Sequence, residues 1–288
     1  MAEKKNVIIT GATSGIGKEA AIEIAKHDTC IIMPVRNLEK GENVKRQIEQ
    51  QTGNSSIHLI KCELDSFDSI RAFSDEFKKR FDKLSLLVNN AGIWEHKIKE
   101  TADGIEMNFG VNHLAPFLMT NLLLDEIKKG APSRIVNVSS EAHRYGKMNF
   151  DDPEGRKKFS SMQSYGQSKL ANILFTRFLA ERMAEDNVIV NCLHPGVVAT
   201  NLFDKMHPVL RALSSPFMKN PRKGAKTTVY LAISPEINGQ TGGYYVNKKI
   251  KRPSKAAMDD NAAERLWKLS MEYTGVTRNL DELKDNLL

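Results

Sequence analysis

The sequence predicts a single-domain α/β fold of the Rossmann type, with a doubly wound parallel sheet of about seven strands and helices on both faces. Short β-branched runs alternate with segments of helical period through residue 195. The strands are continuous apolar runs rather than alternating apolar and polar residues, which is typical of strands buried on both faces. No Pro- or Gly-rich linker divides the chain. We therefore expect one cofactor-binding domain over residues 1–275 and a tail over 276–288.

The individual elements follow from the same patterns. Apolar runs predict six strands, at residues 6–10, 30–35, 57–61, 84–88, 134–139 and 188–194. Helical periodicity between them predicts helices over residues 15–27, 39–51, 66–80, 104–128 and 162–185. The last third is less regular, and there we expect helices over 222–233 and 256–273 and a short closing strand over 243–246.

Composition excludes several classes of protein. The 288 residues are 41% hydrophobic and 27% charged, which is ordinary for a globular protein. The net charge of +7 is spread along the chain, so we expect solvated faces and no nucleic-acid partner. Cys30, Cys62 and Cys192 have no CxxC spacing, so we expect core residues and no metal site. No apolar stretch is long enough for a transmembrane anchor and no signal peptide precedes the first strand, so we expect a cytoplasmic protein.

A glycine-rich turn joins the first strand to the first helix, with the sequence TGATSGIG over residues 10–17. Glycine at three of these positions lets the backbone turn tightly and approach a pyrophosphate, and the helix N-terminus offers free N–H groups to that anion. A tight turn without a ligand is the alternative. The candidate contacts to a dinucleotide are Gly11, Thr13, Ser14, Gly15, Ile16 and Gly17.

The end of the second strand indicates which dinucleotide is bound. An NAD site has a carboxylate there, which accepts a hydrogen bond from the ribose 2′-hydroxyl. This chain has Arg36, followed by Asn37. A guanidinium matches a 2′-phosphate and gains nothing comparable from a hydroxyl, so we predict NADP (NADPH). The alternative is that Arg36 is a solvated residue after a strand.

Two further strand ends face the same crevice. Glu63 and Leu64 follow the third strand, where an adenine ring would lie, and Asn90, Ala91 and Gly92 follow the fourth. Ligands of open α/β sheets bind outside the carboxyl ends of the strands. We therefore expect these residues to contact the cofactor.

A tyrosine and a lysine form the candidate reactive centre. Tyr165 and Lys169 are four residues apart on a predicted helix and so share one face. A lysine cation lowers the pKa of a nearby phenol, which favours proton transfer near neutral pH. A Tyr–Lys pair alone is usually a surface contact. Here Ser139 and Ser140 end the fifth strand and the glycine turn lies upstream, and this combination indicates catalysis.

Taken together, these motifs resemble the short-chain dehydrogenase/reductase family. The chain matches the TGxxxGIG, NNAG, catalytic Asn, Ser, YxxxK and PG signatures, in order, across residues 6–250. Within the family it is most similar to the retinol dehydrogenase and retinal reductase group. That likeness is carried by the residue ranges 35–41, 137–143, 168–172 and 263–267 and by the long spacing between Ser140 and Tyr165.

The resemblance implies a role for each matching residue. Ser140, rather than Ser139, matches the catalytic serine, and Tyr165 matches the acid/base. Lys169 matches the lysine that binds the nicotinamide ribose, and Asn112 matches the asparagine that supports a water chain to that lysine. The segment beside the nicotinamide corresponds to residues 194–200, with Pro195, Gly196, Val198 and Thr200 as expected contacts.

The sequence therefore predicts an NADP-dependent oxidoreductase that transfers a hydride between the nicotinamide and a small-molecule carbonyl or alcohol. Apolar residues within 202–218 suggest a lipophilic, retinoid-like substrate, although a lid on the core would have the same composition. We expect residues 141–161 to form a loop beside the substrate. Three departures from the group stand out: Glu63 replaces the usual Asp, the substrate wall over residues 201–218 has no match, and we expect no hydrophobic N-terminal anchor of the kind that membrane-bound retinoid enzymes carry.

Two other functions fit parts of the pattern. A catalytically silent dinucleotide-binding regulator would keep the fold, but the intact Ser140, Tyr165, Lys169 and Asn112 argue against it. An epimerase or dehydratase of the extended branch also carries YxxxK, but its glycine spacing is usually GxxGxxG rather than GxxxGxG. Homodimers and homotetramers are common in the family, and the helices over 104–128 and 162–185 would form the interface.

Overall fold

Apolar, β-branched segments form a central sheet in a computed structural model, which describes residues 4–198 and 220–277. Within these residues eight strands make one sheet in the order β3-β2-β1-β4-β5-β6-β7-β8. Neighbouring strands are parallel except for β8, which runs antiparallel to β7. The strands are β1 (Lys5–Ile9), β2 (Thr29–Val35), β3 (Ile57–Lys61), β4 (Leu86–Asn89), β5 (Ser133–Val138), β6 (Val188–His194), β7 (Tyr244–Val246) and β8 (Lys249–Ile250).

The doubly wound parallel sheet predicted from the sequence is confirmed, with one strand more than the expected seven. The additional strand, β8, has two exposed residues and follows a tight hairpin in which Asn247 and Lys248 have positive φ angles. A two-residue strand has no hydrophobic period, so the sequence pattern could not predict it.

Helices cover both faces of the sheet. Alternate residues of β1 enter opposite cores, because Ile8 packs in one apolar cluster while Val7 and Ile9 pack in the other. The helices are α1 (Gly15–Ala25), α2 (Leu38–Thr52), α3 (Phe67–Arg80), α4 (Met107–Phe109), α5 (Ala115–Leu122), α6 (Leu124–Lys129), α7 (Ser161–Arg182), α8 (Pro221–Ile233) and α9 (Asp260–Thr274).

The segment expected as one helix over 104–128 is broken into shorter pieces. A π-helical turn over Gly110–Leu114 separates α4 from α5, and α6 follows α5 after Leu123. Pro116 has no N–H to donate to the carbonyl of Asn112, so regular α-helical hydrogen bonding is interrupted at this turn. Such π turns are frequent at functional sites. Here the turn carries Asn112.

Other sequence expectations can be compared only within the described residues. Residues 202–218 and the tail beyond residue 277 lie outside them. Cys30, Cys62 and Cys192 are buried and free, as expected. Across residues 4–198 and 220–277, no helix is long and apolar enough to cross a membrane.

Candidate active site

A cleft of about 700 Å³ lies at the carboxyl ends of β1 to β6. This is the edge at which an open α/β sheet binds its ligand, because the loops after parallel strands converge there. The structure brings most of the predicted site residues to this one cleft. They are Gly11, Thr13, Ser14, Gly15, Ile16, Gly17, Arg36, Asn37, Leu64, Asn90, Ala91, Gly92, Ser140, Tyr165, Lys169, Pro195, Gly196 and Val198.

Three predicted residues are not among those that line it. The Glu63 carboxylate pairs with the Lys61 ammonium at 2.7 Å, which holds the pKa of Glu63 below its usual range. Asn112 lies behind the cleft wall, where it is fully buried. Thr200 falls outside the described residues. Asp65, two residues after Glu63, lines the cleft instead.

The glycine turn is shaped to leave room along the cleft floor. Gly11 and Gly15 have φ angles of +68° and +54°, which glycine adopts without strain. A Cβ on Gly17 would lie 2.4 Å from the Asn90 Nδ2 atom and 2.4 Å from the Gly11 carbonyl oxygen. The Asn90 amide itself donates to the Thr10 carbonyl at 2.9 Å, so it ties the turn after β4 to the glycine turn.

The opposite end of the cleft carries two cations. Arg36 follows β2, and Lys40 in the first turn of α2 lines the cleft beside it. Asn37 begins that helix by accepting a hydrogen bond from the Lys40 N–H at 2.8 Å. Sequence reasoning missed Lys40, which lies in the first turn of α2 while Arg36 precedes that helix, so no helical spacing connects the two residues. The glycine turn could hold the pyrophosphate of a dinucleotide, and Arg36 and Lys40 could hold an additional phosphate.

Ser140, Tyr165 and Lys169 meet where β5 ends against α7. The Ser140 side chain hydrogen-bonds with the Tyr165 hydroxyl and also accepts from the Ala142 N–H at 3.2 Å. The Lys169 Nζ atom lies 5.6 Å from the centre of the Tyr165 ring. The neighbouring Ser139 instead donates to the Lys169 carbonyl at 2.7 Å. Only one of the two serines therefore contacts the phenol.

The electrostatics of this pair differ from the sequence expectation. Burial raises the pKa of Tyr165 to about 12, and the hydrogen bond from Ser140 offsets only part of that rise. Burial also lowers the pKa of Lys169 to about 8. The pKa of the phenol is therefore shifted in the direction opposite to the expected one, because desolvation is its largest cause. At neutral pH the phenol keeps its proton.

Asn112 is held by hydrogen bonds to the backbone that follows β4. Its Oδ1 atom accepts from the Ile93 N–H at 2.8 Å, while its Nδ2 atom donates to the Ile93 carbonyl at 2.9 Å and to Ser168 Oγ at 3.0 Å. A Cβ on Gly92 would lie 3.0 Å from Lys169 Nζ and 3.3 Å from Asn112 Oδ1. The glycine therefore allows the asparagine and the lysine to approach each other.

The cleft continues past Tyr165 into a predominantly apolar mouth. Tyr145, Met162 and Val197 are 70%, 44% and 50% exposed, respectively. Tyr145 belongs to the loop expected beside the substrate, and His194 and Val197 belong to the segment expected beside the nicotinamide. Sequence reasoning did not single out three other cleft residues at this end: Trp94, Met107 and Met162. Glu141, Ala142 and Tyr145 belong to the expected loop over 141–161.

Comparison with known proteins decides the family. The model of the short chain dehydrogenase family matches residues 5–209. The chain belongs to the short-chain dehydrogenase family. The predicted resemblance is therefore confirmed, and the oxidoreductase chemistry of carbonyl and alcohol groups comes with it.

Curated relatives of this short-chain dehydrogenase include several retinol dehydrogenases. Retinol dehydrogenase 14 of Homo sapiens is 42% identical over 95% of this chain and 87% of its own length. Retinol dehydrogenase 12 of Mus musculus is 41% identical over 94% of this chain and 87% of its own length. The predicted similarity to the retinol dehydrogenase group is confirmed.

Solved structures show the same fold. An uncharacterised protein from Mycobacterium paratuberculosis aligns with a TM-score of 0.76 and 31% identity, covering 94% of this chain and 93% of that chain. A short chain dehydrogenase from Shigella flexneri, solved in complex with NADP, aligns with a TM-score of 0.65 at 22% identity and covers 85% of this chain and 97% of that chain.

Proposed function

We propose that this chain is an NADP-dependent reductase of lipophilic aldehydes or ketones, which also oxidises the corresponding alcohols. The hydrogen bond between Ser140 and Tyr165, at one end of a cleft whose other end carries Arg36 and Lys40, is the observation that supports this most directly. A proton donor and a cationic site would thus lie along the same cleft.

Each part of the cleft has a role in binding the dinucleotide. The N–H groups after the glycine turn at residues 11–17 would hold the pyrophosphate. Arg36 and Lys40 would pair with the 2′-phosphate, and Lys169 would donate to the ribose next to the nicotinamide. The reduced nicotinamide supplies the hydride when it is bound.

The residues of the chain handle the proton. Tyr165 donates its hydroxyl proton to the substrate oxygen as negative charge develops there, and Ser140 donates a hydrogen bond to the same oxygen. Burial favours the protonated phenol, which suits a proton donor in the reduction direction. Lys169 then stabilises the phenolate. Asn112 keeps the backbone at Ile93 in place beside this lysine.

Two observations support a lipophilic substrate. The cleft mouth presents Trp94, Tyr145, Met162 and Val197 around the reactive centre, and such side chains favour apolar ligands. The curated relatives are named for retinol, a lipophilic alcohol. Two further observations support NADP over NAD. Arg36 and Lys40 both line one end of the cleft, and the Shigella flexneri structure was solved in complex with NADP.

A substrate panel tests the proposal directly. Purified protein should oxidise NADPH in the presence of retinal or medium-chain aldehydes, with kcat/KM rising as the apolar chain lengthens, since each buried methylene contributes about 0.8 kcal/mol. Turnover is followed as the loss of NADPH absorbance, and each substrate is repeated with NADH. Absence of turnover across aldehydes and ketones with both cofactors would contradict the enzymatic function. Preference for short polar aldehydes would contradict only the lipophilic substrate.

A further inference from the structure

Trp94 makes close contact with the tyrosine of the reactive centre. Its indole stacks on the Tyr165 ring, with the ring centres 5.2 Å apart and the planes 22° from parallel. Offset stacking at this distance is a favoured arrangement for two aromatic rings. Trp94 also lines the cleft, so this contact lies at the reactive centre rather than in the core.

The position of the indole is fixed from two directions. Its backbone comes directly after Ile93, whose N–H and carbonyl are both hydrogen-bonded by Asn112. Its Nε1 atom donates to the Ser161 Oγ at 2.8 Å. Ser161 lies four residues before Tyr165 in α7, so both residues are on one helix face. The indole therefore contacts α7 at two residues, Ser161 through a hydrogen bond and Tyr165 through ring stacking.

The contact restricts a side chain that would otherwise rotate. The hydroxyl oxygen lies on the axis about which the ring turns, so it is displaced only when the whole ring swings, and a second ring stacked on its face opposes that swing. With the indole on the ring, Ser140 at the hydroxyl and Lys169 5.6 Å from the ring centre, the phenol is enclosed on several sides. Catalytic groups need such support, because small misplacements reduce rates strongly.

We propose that Trp94 is a positioning residue, whose indole holds the Tyr165 hydroxyl in its reactive orientation toward Ser140 and keeps water from the covered part of the ring. This inference rests on the role of Tyr165 in the proposed function. The indole itself exchanges no proton with the substrate.

Several titratable groups lie around the phenol, and none of them is changed when Trp94 is replaced. A difference between Trp94 variants therefore reports on the indole. The groups that line the cleft with it are Lys169 on the same helix, Glu95 after β4, Glu141 and Tyr145 after β5, and His194 at the end of β6. His96 lies behind the indole, with the ring centres 4.9 Å apart.

Three variants separate the parts of the contact. Trp94→Ala removes the stack, and it should lower kcat by about 10- to 100-fold with little change in the KM for NADPH. Trp94→Phe keeps a ring but loses the hydrogen bond to Ser161. Ser161→Ala keeps the indole and loses that hydrogen bond together with the one that Ser161 Oγ donates to the Glu95 carbonyl at 3.0 Å. Both should retain activity between those of Trp94→Ala and the parent chain. Circular dichroism and thermal unfolding establish that each variant is folded.

Titration of the phenol gives a readout that needs no turnover. The ultraviolet difference between each chain and its Tyr165→Phe counterpart follows the ionisation of Tyr165 alone. Since burial raises this pKa to about 12, exposing the ring in Trp94→Ala should shift the titration to lower pH, and Trp94→Phe should largely restore it.

The outcomes are distinguishable. An unchanged phenol titration in Trp94→Ala, or activity within about twofold of the parent, would overturn the positioning role. If Trp94→Ala does not fold, Ser161→Ala and Trp94→Phe decide the matter, because parent-like activity and titration in both would also overturn it. A parent chain without turnover on any substrate would contradict the proposed function, while the titration would still show whether Trp94 controls the environment of Tyr165.

Discussion

Replacing Tyr165 with Phe should lower kcat for carbonyl reduction by about 10²- to 10⁴-fold, which is the usual contribution of a general acid. The change removes the hydroxyl that hydrogen-bonds with Ser140 and keeps the ring that stacks on Trp94. Packing should therefore change little. The steady-state rate of NADPH oxidation with a substrate from the panel measures the loss.

Binding of the cofactor should survive this substitution. Lys169, Arg36 and the glycine turn are untouched, so a fluorescence titration with NADPH should give an affinity close to that of the parent chain. The matched control is Tyr230→Phe, which removes a tyrosine hydroxyl that donates to Glu236 on the surface, away from the cleft. This control should retain parent-like activity. A Tyr165→Phe chain that also retains activity within about tenfold would remove Tyr165 from its proposed role.

Much of the fold was predictable because its signals are local. A buried parallel strand is an apolar run, and a helix that covers it has a 3.6-residue period, so both can be recognised in a single sequence. The glycine turn was predictable for a related reason. Gly17 is required by a contact with the backbone of Gly11, six residues earlier, and the motif contains both residues.

The features that were missed depend on contacts distant in sequence. The π turn over Gly110–Leu114 is an exception, because Pro116, two residues after it, is a local signal that hydrophobic periodicity does not register. Trp94 faces Tyr165 across 71 residues of sequence, so no spacing rule connects them. The raised pKa of Tyr165 was missed because sequence reasoning weighed the lysine charge without the burial that opposes it.

Arg36→Asp should reverse the preference for cofactor. In the proposed complex the guanidinium would pair with the 2′-phosphate of NADPH, and a hydrogen bond to such a charged group contributes about 1.5–3 kcal/mol. A carboxylate at this position repels the phosphate and accepts a hydrogen bond from the 2′-hydroxyl of NADH. The ratio of kcat/KM with NADPH to that with NADH should therefore fall by at least about 10- to 100-fold.

The controls for Arg36→Asp follow from the geometry of the cleft. Arg46→Asp makes the same charge change on the exposed side of α2, outside the cleft, and should leave the cofactor ratio unaltered. Lys40→Ala should shift the ratio in the same direction as Arg36→Asp but by less, because a lysine binds phosphate as a point charge without the two-pronged geometry of arginine. An equal shift in Arg36→Asp and Arg46→Asp would mean that net charge, rather than a contact with the 2′-phosphate, sets the preference. No shift in Arg36→Asp would exclude the contact itself, since the two substitutions differ only in whether the altered side chain lines the binding surface.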